Sequence, residues 1–112
     1  MSIQSADYSN INFDEMAASI GLKPKHIPLL IGSFLEESTT ILADLESAVN
    51  SNDYAAIKSH AHSIKGSAGN LKFNEIYEMA REMELSAAET NSSFEYSAYF
   101  EAVKSAVATI PS

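Results

Sequence analysis

Apolar residues recur at helical spacing along most of the chain and define five successive stripes. The first stripe predicts a short helix over residues 13–21, which Asn12 can cap and Gly21 can end. A longer helix is predicted to begin between Pro24 and Pro28, because prolines are tolerated in a first turn whose N–H groups lack helical partners. The inward positions of these two helices are Phe13, Met16, Ala17 and Ile20, then Ile27, Leu30, Ile31, Phe34, Leu35, Ser38, Ile41, Leu42, Leu45 and Val49.

Three more stripes follow in the second half of the chain. The polar run at residues 50–52 can cap a third helix, whose narrow apolar face consists of Ile57, Ala61, Ile64, Ala68 and Leu71. A turn near Phe73 and Asn74 precedes a fourth helix, with inward positions Ile76, Ala80, Met83 and Ala87. A second polar run, at residues 91–93, precedes a fifth helix with Tyr96, Tyr99, Phe100, Val103, Val107 and Ile110.

This order of helices predicts the fold class. One short helix followed by four longer ones with brief connections is typical of an all-α, antiparallel up-down four-helix bundle, here over residues 24–110, with residues 13–21 as an N-terminal capping helix. The polar residues 1–12 are expected to be flexible. The length of 112 residues fits a single domain over 1–112. Because one bundle can bury all the stripes, we expect a monomer.

Composition and charge narrow the classes of function. The formal net charge of −8 argues against a nucleic-acid partner, because such proteins need basic surface to displace counterions. The absence of Cys excludes disulfides and thiolate chemistry and fits a reducing compartment. The N-terminus lacks a signal-peptide pattern, and the apolar stretch from Ile27 to Phe34 is too short to cross a bilayer. We therefore expect a cytoplasmic protein with no membrane partner.

The third helix carries the residues with the most chemical information. At 100° per residue from His62, Gly66 and Gly69 fall within roughly 40° of it. On the same projection, Lys58 and Lys65 fall within roughly 60° of His62. The histidine is therefore predicted to face solvent, beside two glycines and between lysines. Since the two glycines cost about 2 kcal/mol in helix stability, we favour a role in opening the surface to a second macromolecule over a role in helix packing.

A local positive patch is the second notable feature of this stripe. Lys58, Lys65 and, if the helix persists that far, Lys72 account for three of the seven basic residues in an acidic chain. Such a patch suits an anion on or near the ring of His62, and neutral imidazole is a competent nucleophile. His60 lies about 160° from His62, so the two rings cannot easily share a metal ion, and no metal site is expected.

The run Ala61, His62, Ser63, Ile64, Lys65, Gly66, Ser67, Ala68, Gly69, Asn70 and Leu71 resembles the signature of histidine-containing phosphotransfer (HPt) domains. Members of that family carry a His-x-x-Lys-Gly core followed by small residues. Asp53, Met83 and Glu84 also fall where the family places equivalents. Family members often have Gly where this chain has Lys72, and commonly Leu where it has Met83.

The resemblance implies that His62 accepts a phosphoryl group from a receiver aspartate and passes it to another receiver aspartate. The implied partners are receiver domains of a hybrid sensor kinase and of a response regulator. Lys65 would stabilise the phosphate, and Glu84 on the next helix could hydrogen-bond the imidazole. The expected receiver-docking residues are Lys58, Gly66, Gly69 and Lys72. No cofactor is expected in this chain, because magnesium would be held by the receiver.

The chain has no glycine-rich nucleotide loop, so it is not expected to be an enzyme that uses ATP. Two other functions remain open. A receiver-binding adaptor that is not phosphorylated is one alternative. The phosphoacceptor domain of a larger chemotaxis-type or hybrid kinase is the other, although the first Met and the end at Ser112 favour a separate protein.

Overall fold

A computed structural model describes residues 3–111 of the chain. Within this range the helices are α1 (Phe13–Ile20), α2 (Ile27–Asn50), α3 (Tyr54–Asn70), α4 (Asn74–Ala88) and α5 (Tyr96–Ala108). A 3-10 turn over Pro24–His26 precedes α2, and residues 3–111 contain no strand, so the all-α prediction is confirmed. Residues 1, 2 and 112 lie outside the described part. The expectation of a separate protein, which was based on Met1 and Ser112, therefore stays a prediction.

The four longer helices pack in a ring. α3 lies between α2 and α4, and α5 contacts both α2 and α4 on the other side. α1 and the 3-10 turn cover one end of α2. The antiparallel order of the four helices stays an expectation from their short connections. Within residues 3–111, no helix combines the length and the apolar character that a membrane span requires.

The helix ends show two correct predictions and one wrong one. Asn12 caps α1 by accepting a hydrogen bond from the backbone N–H of Glu15, and Gly21 ends that helix with a left-handed φ of 75°. The cap of α3, in contrast, is Asp53, whose carboxylate accepts from the N–H of Ala56. Of the polar run 50–52, Asn50 is instead the last residue of α2, and Ser51 and Asn52 form the turn before α3, with Asn52 at a φ of 54°.

The buried residues form one cluster that follows the predicted stripes closely in α3, α4 and α5. In α1 only Ala17 is buried, and Phe13 is 39% exposed, so its inward placement was wrong. A short helix at the end of a bundle contacts the core through a single turn, which explains this difference. The stripes omitted Ala48, Phe73, Met79, Glu82 and Ala106, all of which are buried.

The segment before α1, expected to be flexible, lies against the bundle from residue 3 onward. The ring of Tyr8 packs on the buried Phe73 with a centroid separation of 4.7 Å. Its hydroxyl donates to the carboxylate of Glu75 at 2.6 Å, and its backbone N–H donates to Oγ1 of Thr109 at 2.9 Å. These contacts join the segment to α4 and to the end of α5, and the flexibility expected of residues 1–12 stays a prediction.

Candidate functional site

His62 lies on the outward face of α3. Ala61 and Ile64, its neighbours on the helix, are fully buried, so the core contacts of α3 fix which face points to solvent. The side chain of His62 is 66% exposed. The predicted solvent-facing position is therefore where the structure places this ring.

A single carboxylate on α4 joins His62 to Lys65. Nδ1 of His62 lies 2.8 Å from Oε2 of Glu84, and Nζ of Lys65 lies 2.7 Å from Oε1 of the same residue. The side chain of Glu84 is only 15% exposed, because α3 packs more extensively against α4 than against any other helix. The structure thus brings together three of the residues that the resemblance singled out.

This contact determines which nitrogen of His62 is free. An ionised carboxylate can only accept hydrogen bonds, so Nδ1 must be the donor in its contact with Glu84. A neutral imidazole with its proton on Nδ1 carries its lone pair on Nε2. The exposed ring therefore offers Nε2 as a nucleophile, with its tautomer and orientation held from behind by Glu84.

The same contacts stabilise the charged form of Glu84. Burial raises the pKa of this carboxyl, but the hydrogen bonds and charges of Lys65 and His62 lower the pKa by more. The net result is a pKa below the ordinary value of 4.5. Glu84 is thus ionised whenever the protein works near neutral pH.

A pH-dependent contribution to stability follows from the lowered pKa of Glu84. Because the folded-state pKa is depressed, the contribution is present above the unfolded pKa and is lost as the pH falls through the folded value. The difference in unfolding free energy between wild type and Glu84→Gln should therefore shrink as the pH falls below about 5, as measured by urea denaturation. Glu78→Gln, on the exposed face of the same helix, is the matched control. A difference that is constant with pH would contradict this assignment.

The two glycines of the stripe occupy different surroundings. A Cβ added at Gly66 would meet no other atom within 4 Å, so the surface beside His62 is open there. A Cβ at Gly69 would lie 3.2 Å from Cδ2 of Tyr77 on α4. The preference for access over packing thus fits Gly66, whereas Gly69 allows α3 and α4 to approach each other.

The three lysines of the stripe also differ in their surroundings. Lys65 is half-buried and ion-paired with Glu84, whereas Lys58 is exposed and forms no ion pair with any described residue. Lys72 does not extend the stripe, because α3 ends at Asn70 and Lys72 has a φ of 61° in the following turn. The positive charge on the face of α3 itself is therefore carried by two lysines rather than three.

Two residues at the border of the site were missed from the sequence. Tyr77 lies seven residues before Glu84 on α4, and this spacing could have placed it on the same face. Glu37 on α2 accepts a hydrogen bond from the hydroxyl of Ser67, on the opposite flank of α3, and no sequence pattern marks that contact. His60 is half-buried away from the ring of His62, and residues 3–111 contain no cluster of His, Asp and Glu suited to a metal ion.

Comparisons with known proteins identify the family of the chain. A family model for the Hpt domain matches residues 29–110, which span nearly all of α2 and all of α3, α4 and α5. Searches of curated proteins and of solved structures found no match. Hpt domains are phosphocarriers of two-component phosphorelays, in which they interact with receiver domains. Because the match covers most of its length, the chain belongs to the Hpt domain family.

Proposed function

We propose that this protein is a histidine phosphocarrier that accepts a phosphoryl group on Nε2 of His62 from one receiver aspartate and passes it to another. The observation that carries the proposal is the contact of 2.8 Å between Nδ1 of His62 and Glu84 on a ring that is 66% exposed. It leaves a nucleophilic nitrogen facing solvent, where a receiver can reach it. Family membership supports the reaction class, and the geometry supports the choice of residue.

The transfer balances in atoms and charge. The lone pair on Nε2 of His62 attacks the phosphorus of the aspartyl phosphate, the N–P bond forms, and the bond from phosphorus to the carboxylate oxygen breaks. The aspartate leaves as a carboxylate and retains the electron pair of that bond. The imidazole keeps its proton on Nδ1 and becomes positively charged, and this charge lies against the carboxylate of Glu84. The reverse sequence on a second receiver returns the ring to its neutral form.

Lys65 offsets the negative charge behind the ring. An ionised Glu84 alone would repel an incoming phosphoryl group, and the ammonium group 2.7 Å from its Oε1 neutralises much of that field. Lys65 thus stabilises the phosphorylated state by charge. Magnesium, where the transfer needs it, is held by the carboxylates of the receiver, and this chain supplies no cofactor.

Gly66 provides the clearance that a receiver needs. The open surface at this position adjoins His62 on the same helix face, so any side chain there would stand between the ring and the receiver. Lys58, which is exposed, adds positive charge to the docking surface. Gly69 contributes because its lack of a side chain allows Tyr77 and α4 to lie close to α3. Lys72 lies at the edge of the docking surface, in the turn that follows α3.

Substitution of the two glycines tests these separate roles. Gly66→Ala should raise the free energy of unfolding by about 0.5–1 kcal/mol, because alanine favours the helix and its methyl group meets open space. The same variant should slow phosphotransfer, so stability and activity change in opposite directions. Gly69→Ala is the matched control, which should gain no stability because its methyl group presses on Tyr77. Equal stabilisation by both substitutions in urea denaturation would contradict the assignment.

The proposed partners are the receiver domains of a hybrid sensor kinase and of a response regulator, in the cytoplasm, with the carrier acting as a monomer. No role for nucleic acid or a membrane is proposed. A receiver-binding adaptor would use the same surface without phosphorylation, and the ordered tautomer of His62 favours the carrier, since docking alone needs no free Nε2. A phosphoacceptor domain of a larger kinase would perform the same chemistry at the same residue.

A reconstituted relay tests the proposal. A receiver domain is labelled on its aspartate with radioactive acetyl phosphate and magnesium, freed of the donor, and mixed with this protein and then with a second receiver. We expect acid-labile, base-stable label on this chain first and on the second receiver afterwards. Receivers that bind without transferring any label would overturn the carrier function in favour of the adaptor.

A further inference from the structure

The two lysines that flank His62 on α3 differ in their availability to a phosphoryl group. Nζ of Lys65 is committed to Oε1 of Glu84 at 2.7 Å, and its side chain is only 22% exposed. Lys58 is exposed, and its ammonium group forms no ion pair with residues 3–111. A new anion at the ring can recruit Lys58 without breaking an existing ion pair.

The position of Lys58 suits that role. It lies four residues before His62, a spacing that places the two side chains side by side, with Cβ atoms about 5–6 Å apart. Side chains on a helix lean toward its N-terminus, so the ring of His62 is carried over the turn that contains Lys58. The side chain of Lys65, which lies three residues after His62, leans back toward the turn that contains His62 and pairs with Glu84 there.

The orientation of the ring adds a third argument. Glu84 holds Nδ1 on the side of α4, and Nε2 lies across the ring from Nδ1. A phosphoryl group on Nε2 is therefore displaced from Glu84 and from the Lys65 ammonium bound to it. The unpaired Lys58 is the cation of this helix face that remains to meet the phosphoryl oxygens.

We infer that Lys58 contacts the phosphoryl group on Nε2 of His62 and stabilises its dianionic form directly, while Lys65 stays with Glu84 and contributes its charge from there. This inference rests on the proposed function and adds a division of labour between the two lysines. The charged groups around the ring of His62 are Glu84 of α4, Lys65 of α3 and, one turn before the ring, Lys58, with Glu37 of α2 on the far flank of α3.

Titration of the phosphorylated protein in isolation tests the inference, because no receiver is present and docking cannot contribute. The second pKa of the phosphoryl group is read from the ³¹P chemical shift as a function of pH. A nearby cation favours the dianion, so Lys58→Gln should raise this pKa by about 0.5, and Lys58→Arg should keep it near the wild-type value. Lys104→Gln is the matched control, since it removes the same charge from an exposed site on α5, which packs on α2 and α4.

Each outcome has a distinct meaning. If phosphorylated Lys58→Gln titrates like wild type, or if Lys104→Gln shifts the pKa equally, the inference is wrong and the proposed function stands. If wild type takes no phosphoryl group on His62 from a receiver, the proposed function fails and the inference fails with it. Should Lys58→Gln accept the group too slowly from a receiver, chemical phosphorylation with phosphoramidate provides the sample, and circular dichroism confirms that the variant is folded.

Discussion

His62→Gln is expected to abolish phosphotransfer while leaving the protein folded. Glutamine has no nitrogen with a free lone pair of comparable nucleophilicity, and no other histidine lies on the open face of α3. The side chain is 66% exposed and its contact with Glu84 is at the surface, so the free energy of unfolding should change by no more than about 1 kcal/mol. The assay is label transfer from a phosphorylated receiver, with thermal unfolding measured on the same samples.

His60→Gln is the matched control for this result. His60 lies two positions away on the same helix, is half-buried, and faces about 160° away from His62. This variant should accept label at a rate near that of wild type. Loss of label only in His60→Gln would mean that the wrong face of α3 had been assigned. Preserved signalling with His62→Gln would instead support an adaptor.

The largest effect on stability is expected from Phe73→Ala. Phe73 is 1% exposed, and its ring packs against Tyr8 at 4.7 Å and against Phe34 at 5.2 Å between centroids. Its removal loses burial and leaves a cavity where the N-terminal segment, α2 and the connection between α3 and α4 meet. We expect a loss of about 3–5 kcal/mol in urea denaturation.

Phe13→Ala is the control for that prediction. Phe13 is 39% exposed at the start of α1, so the same truncation should cost about 0.5 kcal/mol or less. Similar losses from the two substitutions would show that the core is not centred on Phe73. The fraction of Phe73→Ala that remains folded should still accept label, because Phe73 lies in the connection between α3 and α4 and takes no part in the hydrogen bond and ion pair at Glu84.

Helical periodicity predicted α3 well because one face of this helix packs and the opposite face does not. Ile57, Ala61 and Ile64 are fully buried, and His62 is exposed, as their spacing required. For α4 the predicted face was too narrow. Met79 and Glu82 are buried in addition, and Glu82 faces the hydroxyl of Tyr99 on α5 at 3.4 Å.

The parts of the site that escaped prediction depend on contacts between helices. A helical projection places Gly66 and Gly69 on one stripe, but only the packing of α4 reveals that Tyr77 occupies the space beside Gly69. The projection likewise continued to Lys72, because it could not show that α3 ends at Asn70. Glu84 was expected near the imidazole only through the family resemblance, since helix register across two elements cannot be derived from periodicity alone.

The position of the phosphoryl group is the most direct test of this account. Protein with ¹⁵N-labelled histidine is phosphorylated by a receiver, and the ring nitrogen bonded to phosphorus is identified by NMR from its ¹⁵N–³¹P coupling. The expected result is a single phosphorylated ring, that of His62, with phosphorus on Nε2 and a protonated Nδ1 hydrogen-bonded to Glu84. Phosphorus on Nδ1 of His62, or on either nitrogen of His60, would contradict the account.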